Sequence, residues 1–179
     1  MRAMVLPSPG PIDARPLKPA DLPTPQPESG GVLVRVEACG VCRTDLHVVE
    51  GDLPPRRPNM TPGHQVVGRV VGLGPGCKRL RLNERVGVAW LYASCGQCRF
   101  CTTDRENLCE TPRFTGYDVP GGYAEYAIAR EDFVYPIPTE VSPQQAAPLL
   151  CAGIIGYRAL RRSRIAPGGK LGLYGFGAS

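Results

Sequence analysis

Apolar and polar residues alternate from Val32 to Ala38, "VLVRVEA", the period-two pattern of a strand with one buried face. Val66 to Leu73, "VVGRVVGL", is β-branched and apolar, and its glycines predict a bend or bulge. Arg85 to Leu91 and Gly122 to Ala129 read as further short strands. Short strands separated by Gly/Pro turns predict a β-barrel rather than a layered α/β domain. Eight prolines in the first 27 residues predict extended, looping backbone there and no early helix.

The pattern changes after Glu140. Ser142-Pro143 offers an N-cap followed by proline at the first helical position. In "QQAAPLLCAGIIGYRALRRS", Pro148 and Gly153 divide the run into two short helices, the second reaching Arg162. Pro167-Gly168-Gly169 is a turn, and Leu171 to Tyr174 is expected to be a buried strand. A β-rich unit thus comes first, over 1–150, followed over 151–179 by a helical connection and the opening strand of something α/β.

Composition narrows the class. The chain is 42% hydrophobic and 21% charged, which suits neither a disordered nor a membrane protein. No apolar run approaches the ~20 residues of a spanning helix. "MRAMVLPSPG" lacks the apolar core of a signal peptide, so the expected address is the cytoplasm. The net charge of +5 does not imply nucleic acid. Its densest group, Arg158, Arg161, Arg162 and Arg164, sits at a helix C-terminus, where the dipole favours cations, and no basic stripe with interleaved aromatics exists.

Eight cysteines without an export signal point to metal or catalysis rather than disulfides. "CGQCRFCTTDRENLC" places four of them at Cys95, Cys98, Cys101 and Cys109, within a lobe spanning 92–113. Four thiolates at this spacing suit a tetrahedral structural zinc. An iron–sulfur cluster takes the same ligand set and is the alternative at this point. Four thiolates on Zn²⁺ leave a charge of −2, and Arg99, Arg105 and Arg113 are near in sequence to offset it.

The remaining candidates are scattered. Cys39, Cys42, Thr44, Asp45 and His47 lie in "CGVCRTDLH", His64 in "PGHQVVG", and Cys151 in "LLCAGIIG". Each is weak alone: a histidine after Pro-Gly is commonly a turn residue, and a cysteine in an apolar helix is commonly core. Taken in order with the four-cysteine lobe, the set resembles the zinc-dependent alcohol dehydrogenases of the medium-chain dehydrogenase/reductase superfamily, over essentially the whole chain. That resemblance implies a mainly β fold: a GroES-like, partly open β-barrel carrying the zinc lobe. Short helices and the first strand of an incomplete Rossmann domain would follow.

The resemblance also implies roles. Cys42, His64 and Cys151 match the ligands of a catalytic zinc, giving two zinc ions per chain with the structural one. A Cys₂His set leaves a coordination position for substrate, and the metal then serves as a Lewis acid toward an alcohol. Asp45 matches the carboxylate that orients the ligand histidine. Thr44 and His47 match a proton relay to solvent, which the ordinary histidine pKa of about 6.5 suits. Trp90 occupies a position that narrows the substrate pocket in similar microbial enzymes, although an ordinary core aromatic is an equal reading. Where the family usually has glutamate after the ligand histidine, this chain has Gln65, which bears on zinc exchange and rate rather than ligation. Cys39 and Cys77 read as structural thiols.

Gly175-Phe176-Gly177 opens the G-x-G-x-x-G pattern of a dinucleotide loop and stops before its last glycine. By resemblance the complete enzyme uses NAD or NADP, acts on a small alcohol or aldehyde, and is expected to be a homo-oligomer. The 179-residue chain itself is expected to be inactive alone. The alternative is a naturally truncated zinc-binding module without dehydrogenase activity. A nucleic-acid-binding Cys₄ module would leave Cys42, His64 and Cys151 unexplained.

Overall fold

The computed structural model describes residues 1–175. Its frame is a five-stranded antiparallel sheet, curled into half a barrel, of β3 (Gly31–Cys39), β4 (Val66–Leu73), β5 (Arg85–Val88), β8 (Tyr126–Arg130) and β9 (Val134–Pro136). The strand order is β8-β3-β4-β5-β9. A two-stranded ribbon joins β1 (Arg2–Val5) to β2 (Lys18–Asp21), and another joins β6 (Leu91–Ala93) to β7 (Arg113–Phe114). The fold is mainly β, as the alternation of residues predicts.

Val32, Val34, Val66, Val70, Val86, Val88 and Val134 fill the barrel interior with β-branched side chains from all three central strands and β9. The β3–β4 ladder slips twice, between Leu33 and Val34 and between Val36 and Ala38, and these bulges curl the sheet. Gly68 is required there, because a Cβ would collide with the carbonyl oxygen of Arg35.

Three expectations change. The run from Arg85 to Leu91 is not one strand; the chain leaves the sheet after Val88, and Leu91 pairs instead with Phe114 as the lobe begins. Residues 122–125 do not extend β8: Gly122 N–H donates to the Gly63 carbonyl, and Ala124 bridges Ala3. Leu171 to Tyr174 forms no strand, and Leu173 and Tyr174 are exposed, because no strand among the described residues lies alongside to complete a ladder.

The helices are α1 (Arg43–Glu50), α2 (Pro143–Ala146) and α3 (Ala152–Ser163). Ser142 caps α2 as expected, its hydroxyl accepting from Gln145 N–H at 3.3 Å. A 3₁₀ turn over Ala147–Leu150 follows, and Ala146, Ala147 and Leu150 pack against Val67 of β4. The break then falls at Cys151 (φ −131°, ψ −81°), so Gly153 lies inside α3 and does not divide the run. No helix among the described residues is long and apolar enough to cross a membrane.

Candidate metal centre

Two groups of side chains converge as metal ligands would. In the first, Cys95, Cys98, Cys101 and Cys109 bring four sulfurs within 4.8 Å of one another. Cys98 Sγ lies 3.5 Å from Cys101 Sγ, and Cys95 Sγ lies 3.9 Å from it. Sulfurs at ~2.3 Å from a tetrahedral zinc would stand about 3.8 Å apart, so the lobe fits this ion without rearrangement. Cys109 is the one buried residue between 92 and 113, so this lobe has almost no apolar core of its own.

Backbone amides aim at these sulfurs. Cys98 N–H donates to Cys95 Sγ at 3.3 Å, Cys95 N–H to Cys109 Sγ at 3.3 Å, and Thr111 N–H to Cys109 Sγ at 3.4 Å. The amides of Gln97 and Cys98 hold the Cys95 thiol down, to about 6. The nearby arginines have other partners. Arg99 lies over Phe100 and 3.5 Å from Glu110, and Arg113 lies over Tyr92. The amides therefore add a local positive field at the sulfurs beside that of the arginines.

The second group joins three separate elements. Cys42 caps α1, His64 follows the turn at Gly63 and precedes β4, and Cys151 sits at the break before α3. Cys42 Sγ is 3.4 Å from His64 Nε2 and 4.0 Å from Cys151 Sγ. A tetrahedral zinc requires about 3.6 Å for such a sulfur–nitrogen pair and about 3.8 Å for the sulfur pair. The three residues fit the ion. Burial, followed by the neighbouring Cys42 thiol, pushes the Cys151 thiol up to about 11 when no cation shares the site.

His64 is almost wholly buried, and its Nδ1 stands 3.3 Å from Asp45 Oδ1. The other Asp45 oxygen, Oδ2, accepts from Cys42 N–H at 2.8 Å across the first turn of α1. Burial raises the Asp45 carboxyl, but His64 and the Cys42 amide outweigh it and hold the group below its ordinary range. Thr44 and His47 lie one turn apart along α1, on one face. His47 Nδ1 is 2.7 Å from Asp52 Oδ2, with both side chains open to solvent. Asp52 escaped sequence reasoning; its signal was its place just beyond the Gly51 C-cap.

Trp90 meets His64 edge-on, with ring centroids 4.8 Å apart, and stacks on Phe114 and Tyr117. The structure thus brings Trp90 to His64 and into an aromatic cluster at once. Gln65 is buried beneath Gly40 with its Nε2 unpartnered. Cys39 stays outside the converging ligands; it packs against the barrel core, and burial pushes its thiol up to about 12. Cys77 donates to the Gly31 carbonyl at 3.3 Å. Of the expected dinucleotide loop, Gly175 has φ +96° with open space around it, and Gly177 lies outside the described residues.

The alcohol dehydrogenase GroES-like domain family matches residues 28–139. A probable alcohol dehydrogenase, AdhA, of Mycobacterium tuberculosis (strain CDC 1551 / Oshkosh) is 49% identical over 100% of this chain and 53% of its own length. An alcohol dehydrogenase of Geobacillus stearothermophilus is 45% identical, over 91% of this chain and 49% of its own. The chain therefore spans about half the length of the curated relatives it matches. Among solved structures, a cobalt- and zinc-bound thermostable alcohol dehydrogenase from Pyrobaculum aerophilum superposes with TM-score 0.84 at 31% identity, covering 93% of this chain and 49% of that one. A cinnamyl alcohol dehydrogenase from Sorghum bicolor gives TM-score 0.80 at 29% identity, covering 90% and 47%. The family match, the relatives and the shared barrel agree, and the chain belongs to the GroES-like domain family of zinc-dependent, medium-chain alcohol dehydrogenases.

Proposed function

We propose that this chain is the metal-holding half of an alcohol dehydrogenase that oxidises a small alcohol to an aldehyde or ketone. The observation that carries the proposal is the convergence of Cys42, His64 and Cys151, 109 residues apart at the extremes, at tetrahedral ligand spacing. Zinc held there supplies a Lewis acid for the alcohol oxygen. The four-cysteine lobe holds a second, structural zinc. The cobalt- and zinc-bound relative from Pyrobaculum aerophilum supports this choice of metal over an iron–sulfur cluster.

The chain's own residues then divide the remaining work. Asp45 keeps His64 turned with Nε2 toward the two sulfurs. The Thr44 hydroxyl takes the alcohol proton, and His47 passes it to water, with Asp52 steadying the imidazole. Trp90 walls the pocket beside His64, which favours small substrates. The hydride acceptor is NAD or NADP in the whole enzyme, whose binding motif the sequence Gly175-Phe176-Gly177 would begin. By itself the chain is expected to be inactive and to bind nicotinamide cofactors poorly.

Two measurements test the reading. Gently purified protein should carry about two zinc ions per chain by elemental analysis. Metal-free protein with all thiols intact would refute it. Titration with NADH, followed by nicotinamide fluorescence, should show weak binding; ordinary micromolar affinity would overturn the expectation of poor cofactor binding and sink the alternative of a truncated zinc-binding module.

A further inference from the structure

Two polar atoms beside the three-ligand site are sealed from solvent without an aligned hydrogen-bond partner: Asp45 Oδ1 and the Tyr123 hydroxyl. His64 Nδ1 stands 3.3 Å from that Asp45 oxygen but is too poorly aligned to satisfy it. A buried carboxylate oxygen left unpaired is costly, and native proteins rarely tolerate one.

The backbone explains why Tyr123 is there. Residues 121–123 lie along 61–63, with Gly121 N–H on the Thr61 carbonyl at 2.7 Å, Gly122 N–H on Gly63 at 2.8 Å and Tyr123 N–H on Pro62 at 3.0 Å. This ladder lays the Tyr123 ring against Gly63, one residue before His64. The direction of any bond is fixed by chemistry: an ionised carboxylate only accepts, and a phenol can donate. A phenol, with an ordinary pKa of about 10, carries its proton at neutral pH.

We propose that Tyr123 is a positioning residue for the metal centre. Its hydroxyl donates to Asp45 Oδ1, which also faces His64 Nδ1, and so locks the carboxylate that sets the imidazole's tautomer and direction. Tyr123 touches neither substrate nor metal; it acts through Asp45 and His64. The proposal rests on Cys42, His64 and Cys151 holding an ion.

The test uses the zinc-loaded 179-residue chain and removal of its ions by the chromophoric chelator 4-(2-pyridylazo)resorcinol. Tyr123→Phe keeps the ring over Gly63 and removes only the hydroxyl. It should weaken retention of one ion roughly tenfold, within the range for such supporting groups, and leave the ion in the four-cysteine lobe unchanged. Added to Asp45→Asn, the same change should have no further effect. A shift under about twofold, equal weakening of both ions, or a full effect in the Asp45→Asn background would overturn the proposal. In the wild-type chain, the Tyr123 hydroxyl proton should be protected from exchange in NMR spectra, with a cross-peak to the His64 Nδ1 proton; its absence would also overturn it. A wild-type chain that retains only the lobe's ion would overturn the catalytic-metal reading and this one together.

Discussion

Gly63→Ala probes the turn that delivers His64. Gly63 has φ +96°, so any side chain there is strained by about 1–2 kcal/mol. A Cβ at this position would also come within 2.7 Å of Tyr123 Cδ1, 2.9 Å of Tyr123 N and 2.9 Å of Cys39 Sγ. The Tyr123 amide cannot step aside freely, because it donates to the Pro62 carbonyl at 3.0 Å. Overpacking of this kind adds about 1–3 kcal/mol, giving a total near 2–5 kcal/mol. Gly168→Ala serves as the control: φ is +79° but nothing lies within 4 Å, so its cost should not exceed about 1–2 kcal/mol. Urea unfolding of the zinc-loaded proteins measures both, and chelator competition measures whether His64 still holds its ion. If Gly63→Ala matches Gly168→Ala in stability and retains two ions with wild-type affinity, the turn at Gly63 neither resists a side chain nor sets the position of His64.

The remaining predictions concern the barrel, the lobe and the pocket. Glu131 is buried, and its carboxylate accepts from the amides of Lys78, Arg79 and Leu80 at 3.0, 2.7 and 3.0 Å, so Glu131→Gln should cost about 2–3 kcal/mol at neutral pH in a denaturation assay. Burial raises this carboxyl, but the three amides outweigh it and hold the pKa below the usual 4.5. Its stabilisation is therefore full above that value and lost as pH falls through the folded pKa, so the wild-type advantage should shrink in acid; an advantage that grows below pH ~4 would contradict the sign. Cys109→Ser should lower zinc from two ions to one and open 92–113 to proteolysis, since the metal replaces the missing core; a protease-resistant lobe would show otherwise. In the whole enzyme carrying these residues, Trp90→Ala should raise kcat/KM for bulky alcohols relative to small ones, and an unchanged ratio would assign Trp90 to the core.

The four-cysteine lobe was legible because its ligands are local: a spacing of three residues and a tight turn bring Cys95 and Cys98 together with no help from distant chain. The strands of the barrel were legible for the same reason, since Val32 to Ala38 and Val66 to Leu73 carry period-two or β-branched patterns in themselves. Their ends were less so. The split after Val88 and the diversion of residues 122–125 depend on which neighbour offers a ladder. The first turn of α1 was also hidden, because its cap is a cysteine answered by Asp45, and neither residue forms the usual Ser/Thr–Glu signature.

From the sequence alone come the mainly β frame and the four-cysteine cluster, because residue type and short-range spacing carry them, whereas Cys42, His64 and Cys151 were joined only by the family resemblance. Tertiary structure decides the rest. It alone carries Cys151 to Cys42, sets Trp90 against His64, assigns Asp52 to His47, and leaves Asp45 Oδ1 and the Tyr123 hydroxyl buried without partners. It also leaves Leu173 and Tyr174 exposed although their composition asks for burial. These outcomes depend on contacts between segments tens of residues apart, and a chain's local pattern records what each segment prefers but not what it will meet.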